Sequence, residues 1–483
     1  MATLRAAAII NGSSQYLIYA LSFVRVAVIS RLLVPSDIGA FAVAVALMMV
    51  LRVFRVFGTW EYIIATKDIT TERLRTCFTV MSTMATTTFI LTVLFAPQIA
   101  TFFKADVLAQ LIPLMSLSFL VLPFGFIAQA MMHRQMRMLE IAIIKLLGAL
   151  TEITVAISLA LLDVGVMALA WGFFAGNVVA TVSVLCFERS YIAFRPGVPH
   201  FREVVKFGAA SASATFLQQV GDIGAPLILG RGTDATTVGF FSRGQTLINF
   251  FRQGVEQAMA PVTTPWFAQK SRSDPSMLAD GYMKITSLVS AVTWPFYAFV
   301  FVHAVSIVPI LLGPGWDASV PVSQALAAGG LVSPFALYGT SMMAGQGRVN
   351  RRLLFTGVVQ VVRLTLMVAA IPYGLTAFAW ALAASHAFAF ALIGFFLRTT
   401  VGLSLRKLAM SLLGPAAIGL ATLVANYSLL FAFGPRLSSV CMGALATLAL
   451  WWGWLMLSKH PLRFEILTLF SRISGRLKQR ARR

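Results

Sequence analysis

The sequence has few charged residues and very few acidic ones. Charged residues make up 11% of the 483 positions, and 38 lysines and arginines stand against only 17 aspartates and glutamates. Hydrophobic residues account for 58% of the chain, which excludes an ordinary soluble domain and indicates a polytopic membrane protein. The three cysteines lack metal-ligand spacing, and no G-x-x-x-x-G-K-[ST] loop occurs. We therefore expect no metal, no cofactor and no direct use of ATP.

Apolar stretches of about 20 residues, the length that crosses a bilayer, recur along the whole chain. Fourteen are predicted, so the expected fold is an all-α membrane protein with 14 transmembrane helices. The predicted spans are residues 7–31, 38–60, 76–95, 107–131, 141–162, 166–187, 204–229, 238–259, 282–312, 320–343, 353–373, 375–397, 408–433 and 437–457.

Basic residues concentrate in every second loop between these spans. One such loop carries Arg134, Arg137 and Lys145. The intervening loops contain only Arg31, Lys104, Arg231 and Arg436. By the positive-inside rule, both termini are predicted to be cytoplasmic. The net charge of +21 is mostly this topological signal, so no nucleic-acid partner is expected.

The chain repeats itself at an offset of about two hundred residues. The segment 31–41 matches 231–241, the segment 131–137 matches 342–348, and the segment 165–171 matches 374–380. Six spans per repeat give both copies the same orientation, which predicts two pseudo-symmetric six-helix lobes with a cavity between them. The expected organisation is an N-lobe over 1–200, a C-lobe over 201–400, two further helices over 401–458, and a basic amphipathic cytoplasmic tail over 459–483. The tail is predicted to lie on anionic lipid, and beyond Gly475 a solvated basic tail is the alternative.

Several arginines lie inside the apolar stretches, where a charge costs at least ~2.5–3.5 kcal/mol and usually has a use. They are Arg25, Arg52, Arg55, Arg243, Arg252 and Arg363. The fully embedded acids are fewer, namely Glu152, Asp222 and Glu256. This excess of positive charge predicts an anionic ligand. The alternative, that an arginine snorkels or forms an interhelical ion pair, is favoured for Arg243 and Arg363.

Arg52 and Arg252 also share the offset of 200 residues. Each lies about 14 residues, or roughly 20 Å, into the second helix of its lobe. Arg55 is one turn beyond Arg52 on the same face. Glu256 is one turn from Arg252 and is a candidate counter-ion, whereas Asp222 lies among glycines and is a candidate gating residue.

Two segments carry a family resemblance. Ser30-Arg-Leu-Leu-Val-Pro-Ser-Asp-Ile-Gly39 is similar to the first loop, and Gln129-Ala-Met-Met-His-Arg-Gln-Met-Arg137 to the basic loop after the fourth helix, of the Wzx-type polysaccharide translocases. These belong to the multidrug/oligosaccharidyl-lipid/polysaccharide (MOP) exporter superfamily. The resemblance implies movement of undecaprenyl-pyrophosphate-linked sugars across the bacterial inner membrane, and use by a polysaccharide polymerase.

The resemblance also implies a site. In related lipid II flippases, arginines on the first, second and eighth helices hold the pyrophosphate, which implies this role for Arg25, Arg52 and Arg252, with Arg55 beside Arg52. The partners are then the polyprenyl-linked oligosaccharide and membrane lipids.

Three other readings stay open. A cation-coupled multidrug exporter of the same superfamily needs buried carboxylates, which the first helix lacks. A lipid II flippase would bind the same head group. A membrane polymerase or ligase would need a large external loop with catalytic residues, and every external loop here is short, so no enzyme is expected. The sequence leaves the sugar composition and the energy source open.

Overall fold

The regular secondary structure of the described residues is entirely helical. The computed structural model describes residues 2–191, 195–458 and 462–463; within its helices, the side chains of residues 2–13, 214, 217, 218, 220, 222, 256–258, 260, 261 and 349 lie outside that description. Every regular element in these ranges is a helix, and no strand occurs in them. The predicted all-α class is therefore confirmed.

The α-helices of the described residues vary from 7 to 36 residues in length. In chain order they are α1 (Ala2–Leu32), α2 (Pro35–Val56), α3 (Thr59–Ala65), α4 (Thr71–Phe102), α5 (Leu108–Ser116), α6 (Ser118–Arg134), α7 (Met138–Leu161), α8 (Met167–Phe187), α9 (Phe201–Gly232), α10 (Ala235–Phe251), α11 (Ala258–Ser273), α12 (Met277–Leu312), α13 (Ser319–Gly330), α14 (Ser333–Gly345), α15 (Val349–Ala370), α16 (Gly374–Val401), α17 (Leu405–Phe433) and α18 (Leu437–Leu457). A π-helix (Arg252–Gln257) joins α10 to α11, and a 3-10 turn (Ile371–Tyr373) joins α15 to α16.

Ten helical stretches among the described residues are long and apolar enough to cross a membrane, or eleven if α13 and α14, bent by 44°, form one span. One of the ten, residues 350–401, contains both α15 and α16. Spans seven and eight of the sequence prediction fall on α9 and α10, which are not among the ten. The structure thus shows a multi-pass membrane protein, and the count of fourteen spans stays a prediction.

The chain divides into two compact units. Unit 1 comprises Met1–Ser242 and Leu312–Pro314, and unit 2 comprises Arg243–Leu311 and Gly315–Arg483.

Unit 1 contains a very close approach between the starts of α2 and α10. A Cβ atom placed on Gly39 would lie 1.6 Å from the carbonyl oxygen of Ala235, and one on Gly239 would lie 2.0 Å from that of Pro35. These glycines are the matched pair of the sequence repeat, 200 residues apart. The repeat therefore brings its two copies into direct backbone contact here, which only glycine permits.

A sharp turn between α2 and α3 sets the direction of α3. Phe57 and Gly58 both adopt the left-handed conformation, with φ of 46° and 65°. At Gly58 a side chain is also excluded sterically, because a Cβ atom would lie 2.9 Å from the carbonyl oxygen of Gly208 on α9. The turn ends α2 and starts the short helix α3 within unit 1.

Unit 2 is joined internally by buried polar contacts to α12. The hydroxyl of Tyr282 donates to the carbonyl oxygen of Phe335 at 2.9 Å. His303 lies 2.9 Å from Asn426 on α17, and the indole of Trp451 on α18 donates to a carbonyl of α12 at 2.9 Å. The last two helices are therefore held against α12 by hydrogen bonds that a membrane interior makes costly to break.

Candidate functional site

A cavity of about 710 Å³ lies in unit 1. Side chains from α2, α3, α6, α7, α8 and α9 line it. Its ionisable lining residues are Arg52, Arg55, Glu61, His133 and Lys145. Three basic side chains, Arg52, Arg55 and Lys145, and one acid, Glu61, therefore line the cavity.

Arg52 and Arg55 project into this cavity from α2. Arg52 is exposed, whereas Arg55 is only 7% exposed and its guanidinium carbon lies 5.5 Å from the ring centre of Phe119. The Nε atom of Arg55 has no hydrogen-bond partner in the described part of the chain. Neither arginine forms an ion pair with any described carboxylate. Both guanidinium groups thus retain donors for an anion.

Arg25 has a different environment. Its guanidinium donates to the carboxylate of Glu152, which lies 127 residues away on α7. Both side chains are about a quarter to a third exposed, at 26% and 30%. The ion pair neutralises Arg25 in this structure, so an anionic ligand would have to compete with Glu152 for it.

Arg252 is the first residue of the π-helix that connects α10 to α11. Its Nη2 donates to the side-chain oxygen of Asn249 at 3.3 Å. Immediately before it, the ring of Phe251 stacks on Phe296 with centroids 3.6 Å apart and planes inclined by 6°. Short π-helices like Arg252–Gln257 occur frequently at functional sites. Arg252 belongs to unit 2, while the other three candidate arginines belong to unit 1.

The two candidate acids lie on helices whose backbone is described. The side chains of Asp222, on α9, and Glu256, in the π-helix, are outside the described residues. Their roles as counter-ion or gating residue stay predictions.

The basic segment before α7 positions α3. Arg134 donates to the carbonyl oxygens of Ile63 at 2.8 Å and Thr66 at 2.6 Å, and also to that of Lys67 at 2.7 Å. Its charge thus stabilises the C-terminal end of α3, where helix carbonyls lack partners. Nearby, Arg137 is ion-paired with Glu140 and Glu188. The hydrogen bond to Glu140 is the largest effect on the pKa of Arg137, and together with the charge of both carboxylates it raises that pKa despite the opposite effect of burial.

A second contact holds α3 from the side of α9. The hydroxyl of Tyr62 donates to Glu203 at 2.9 Å. Burial and this hydrogen bond raise the pKa of Tyr62 to about 12, so the phenol stays a donor at neutral pH. With both contacts in place, Trp60 and Glu61 on α3 face the cavity.

Lys145 was predicted to lie in a basic loop although it falls within the predicted span 141–162, and the loop assignment was wrong. Lys145 lies on α7, seven residues after its start, and lines the cavity. The misplacement arose because Lys145 follows Arg134 and Arg137 closely and was counted with them. The signal was nevertheless present, since Ile144 and Leu146 flank it in an apolar run. Trp60, His133, Gln129 and Asn177 are further lining residues that the sequence analysis did not single out.

Comparison with known proteins identifies the family. A family model described as polysaccharide biosynthesis protein matches residues 28–321, which is more than half of the chain. The chain belongs to this polysaccharide biosynthesis protein family. The matched region includes α2, α3, α6, α7, α8 and α9, whose side chains line the cavity.

Individual members of known function are similar over most of their length. The lipopolysaccharide biosynthesis protein WzxC of Escherichia coli (strain K12) is 24% identical over 94% of both chains. The teichuronic acid biosynthesis protein TuaB of Bacillus subtilis (strain 168) is 21% identical over 75% of both. The succinoglycan biosynthesis transport protein ExoT of Rhizobium meliloti (strain 1021) is 22% identical over 68% of this chain and 67% of its own.

Solved structures show the fold. A structure of the lipid II flippase MurJ in an inward closed conformation matches with a TM-score of 0.78 at 12% identity, over 92% of this chain and 98% of its own. A multidrug resistance MATE family transporter of the MOP superfamily matches with a TM-score of 0.65 at 15% identity, over 82% and 98%. The fold is therefore MOP-like. These comparisons confirm the resemblance to Wzx-type translocases and the prediction of a transport protein instead of an enzyme.

Proposed function

We propose that the protein is a flippase for undecaprenyl-pyrophosphate-linked oligosaccharide repeat units. It moves them from the cytoplasmic to the periplasmic leaflet of the bacterial inner membrane for exopolysaccharide or lipopolysaccharide assembly. Transport proceeds by alternating access through a cationic central cavity, and a polysaccharide polymerase consumes the product. The observation that carries the proposal is the cavity of unit 1, where Arg52 and Arg55 have no carboxylate partner among the described residues.

The head group of the substrate matches these cations. A pyrophosphate carries about two negative charges and cannot cross hydrocarbon unless its charge is matched. Guanidinium groups bind phosphate oxygens bidentately and stay charged at any relevant pH. Arg52 and Arg55 supply two such groups on one helix, and Arg252 is the pseudo-symmetric third. Arg25 joins them when the substrate displaces Glu152.

The proposed architecture has fourteen spans in two six-helix lobes, followed by two further helices. Both termini are cytoplasmic, as the distribution of basic loops indicates. The sugars occupy the cavity of unit 1 while the polyprenyl tail stays in lipid. Asp222 and Glu256 act as counter-ions or gating residues as the lobes move. No covalent step is needed.

Lipid II is the second candidate substrate, because one of the matched solved structures, with a TM-score of 0.78, is that of a lipid II flippase. The family description and the names of the curated relatives favour a polysaccharide unit. A multidrug exporter is less well supported, since cationic drugs would meet the positive charge of Arg52, Arg55 and Lys145 in the unit 1 cavity.

Flux measurements in proteoliposomes test the proposal. The probes are a labelled undecaprenyl-pyrophosphate oligosaccharide and labelled lipid II, and the variants are Arg52→Ala, Arg252→Ala and Arg52→Lys. A hydrogen bond to a charged group contributes about 1.5–3 kcal/mol, so each alanine variant should lower apparent affinity roughly 10- to 150-fold. Arg52→Lys should retain only part of the wild-type affinity, because an ammonium group lacks the planar, bidentate donors of a guanidinium group.

Arg363→Ala is the comparison variant, since it also removes a membrane arginine but one to which the proposal gives no role, and its effect should be milder. Variant and wild-type protein must be present in equal amounts in the vesicles. Normal flux of both probes by the Arg52→Ala, Arg252→Ala double variant would remove the arginines from the mechanism. Preferential flux of lipid II would reassign the substrate.

A further inference from the structure

The cavity of unit 1 has more positive charge than the α2 arginines supply. Lys145 enters it from α7 and His133 from the last turn of α6. Lys145 forms no ion pair with a described carboxylate. Lys145 is exposed, seven residues after the start of α7, so its ammonium group is available to an anionic ligand in the cavity. Arg52 and Arg55 already account for a pyrophosphate, which leaves Lys145 for another anionic group.

The residues around Lys145 suit a sugar. Trp60 lines the same cavity and packs edge-to-face against His133, with ring centroids 5.0 Å apart. An indole offers a flat apolar surface for the C–H face of a pyranose, with a polar N–H at its edge. Trp60 also packs edge-to-face against Phe126, with ring centroids 5.6 Å apart, so the indole is positioned before any ligand arrives.

Two amides in the cavity wall are available for hydroxyl groups. Asn177 donates through Nδ2 to the carbonyl oxygen of Phe173 at 2.7 Å, and its Oδ1 makes no hydrogen bond in the described part of the chain. Gln129 lines the cavity without a hydrogen-bond partner among the described residues. An amide offers both a donor and an acceptor, which is the combination that a sugar hydroxyl requires.

We propose that Lys145, Trp60, His133, Gln129 and Asn177 form a subsite for a carboxylate-bearing sugar of the lipid-linked repeat unit. Lys145 pairs with the sugar carboxylate, Trp60 supports the ring, and the amides bind hydroxyl groups. The subsite rests on the proposed function, because it takes the oligosaccharide part of the substrate whose pyrophosphate the arginines bind. It narrows the substrate class to acidic glycans.

Two probes that differ in one group test the subsite. Both are undecaprenyl-pyrophosphate disaccharides, one ending in a hexuronic acid and the other in the corresponding hexose. Equilibrium binding to the purified protein in detergent micelles is the main measurement, and flux in proteoliposomes is the second. Wild-type protein should bind the acidic probe about tenfold more tightly than the neutral one.

The decisive variant is Lys145→Gln. It should remove this preference by weakening the acidic probe about tenfold, while binding of the neutral probe changes less than twofold. Lys145→Arg should retain the preference. The control is Lys407→Gln, which removes an exposed lysine at the start of α17, in unit 2. It should leave both probes unchanged.

The outcomes separate the subsite from the transport function. Equal weakening of both probes by Lys145→Gln would assign Lys145 to the pyrophosphate or to folding and overturn the subsite. An unchanged preference would overturn it as well, as expected of a lysine that only contacts lipid head groups. If Lys145→Gln weakens binding of the acidic probe alone, and wild-type protein transports neither probe in proteoliposomes, the subsite would be supported and the flippase function refuted.

Discussion

Replacing Gly39 by alanine tests the close contact between α2 and α10. The added Cβ atom would lie 1.6 Å from the carbonyl oxygen of Ala235, whereas real Cβ contacts are essentially never under 3.0 Å. The two helix backbones must therefore separate by roughly 1.4 Å at this point, and no flexible side chain can absorb the shift. Overpacking of this kind costs about 1–3 kcal/mol.

Alanine is also a better helix former than glycine, and the experiment must remove that effect. Gly357, inside α15, has no atom within 4 Å of the position that its Cβ would take. Gly357→Ala should therefore stabilise the protein by about 0.5–1 kcal/mol through helix propensity alone. The free energies of unfolding of the two variants should consequently differ by more than about 1 kcal/mol, with Gly39→Ala the less stable.

Thermal denaturation of the purified protein in detergent micelles measures the difference. Gly39→Ala should melt below wild type and Gly357→Ala at or above it. Gly239→Ala should resemble Gly39→Ala, because its Cβ would lie 2.0 Å from the carbonyl oxygen of Pro35. Equal melting temperatures for the Gly39 and Gly357 variants would show that the two helices are not held this closely.

Two further predictions concern the ion pair of unit 1 and the topology. Arg25→Gln and Glu152→Gln should each lower the melting temperature, and the double variant should lose less than their sum, with a coupling of about 0.5–3 kcal/mol for groups in contact; strict additivity would contradict the pair. Reporter fusions after Lys67 should indicate cytoplasm, and those after Lys104 and Asp317 periplasm; any reversal would break the positive-inside assignment.

The all-α membrane class could be predicted because it depends on composition. A long apolar run in a bilayer must satisfy its backbone hydrogen bonds internally, so it becomes a helix whatever its neighbours are. The candidate arginines on α2 were found for a similar reason, since a charge inside such a run stands out locally. Spans seven and eight stay predictions, because α9 and α10 contain polar residues such as Gln219 and Arg243 among apolar ones and are not among the ten membrane-length stretches of the described residues.

Contacts between distant helices could not be predicted. The family resemblance implied that Arg25 is a pyrophosphate ligand, and only the packing of α1 on α7 showed that Glu152, 127 residues away, pairs with it. Lys145 was grouped with the basic residues of a predicted cytoplasmic loop, and only the structure showed that it lies on α7 and lines the cavity.

By itself, the sequence determined the helical class, the excess of intramembrane arginine and the matched glycines of the repeat, because hydropathy, charge and residue identity are local properties. Only the tertiary structure decided which cations are neutralised and which remain available to a ligand. An ion pair forms only where a basic nitrogen and a carboxylate oxygen lie within about 4 Å of each other. The spacing of residues along the sequence does not specify that distance when the two lie on different helices. The same is true of Gly39 and Gly239, whose backbone contact became evident only when α2 and α10 were placed together.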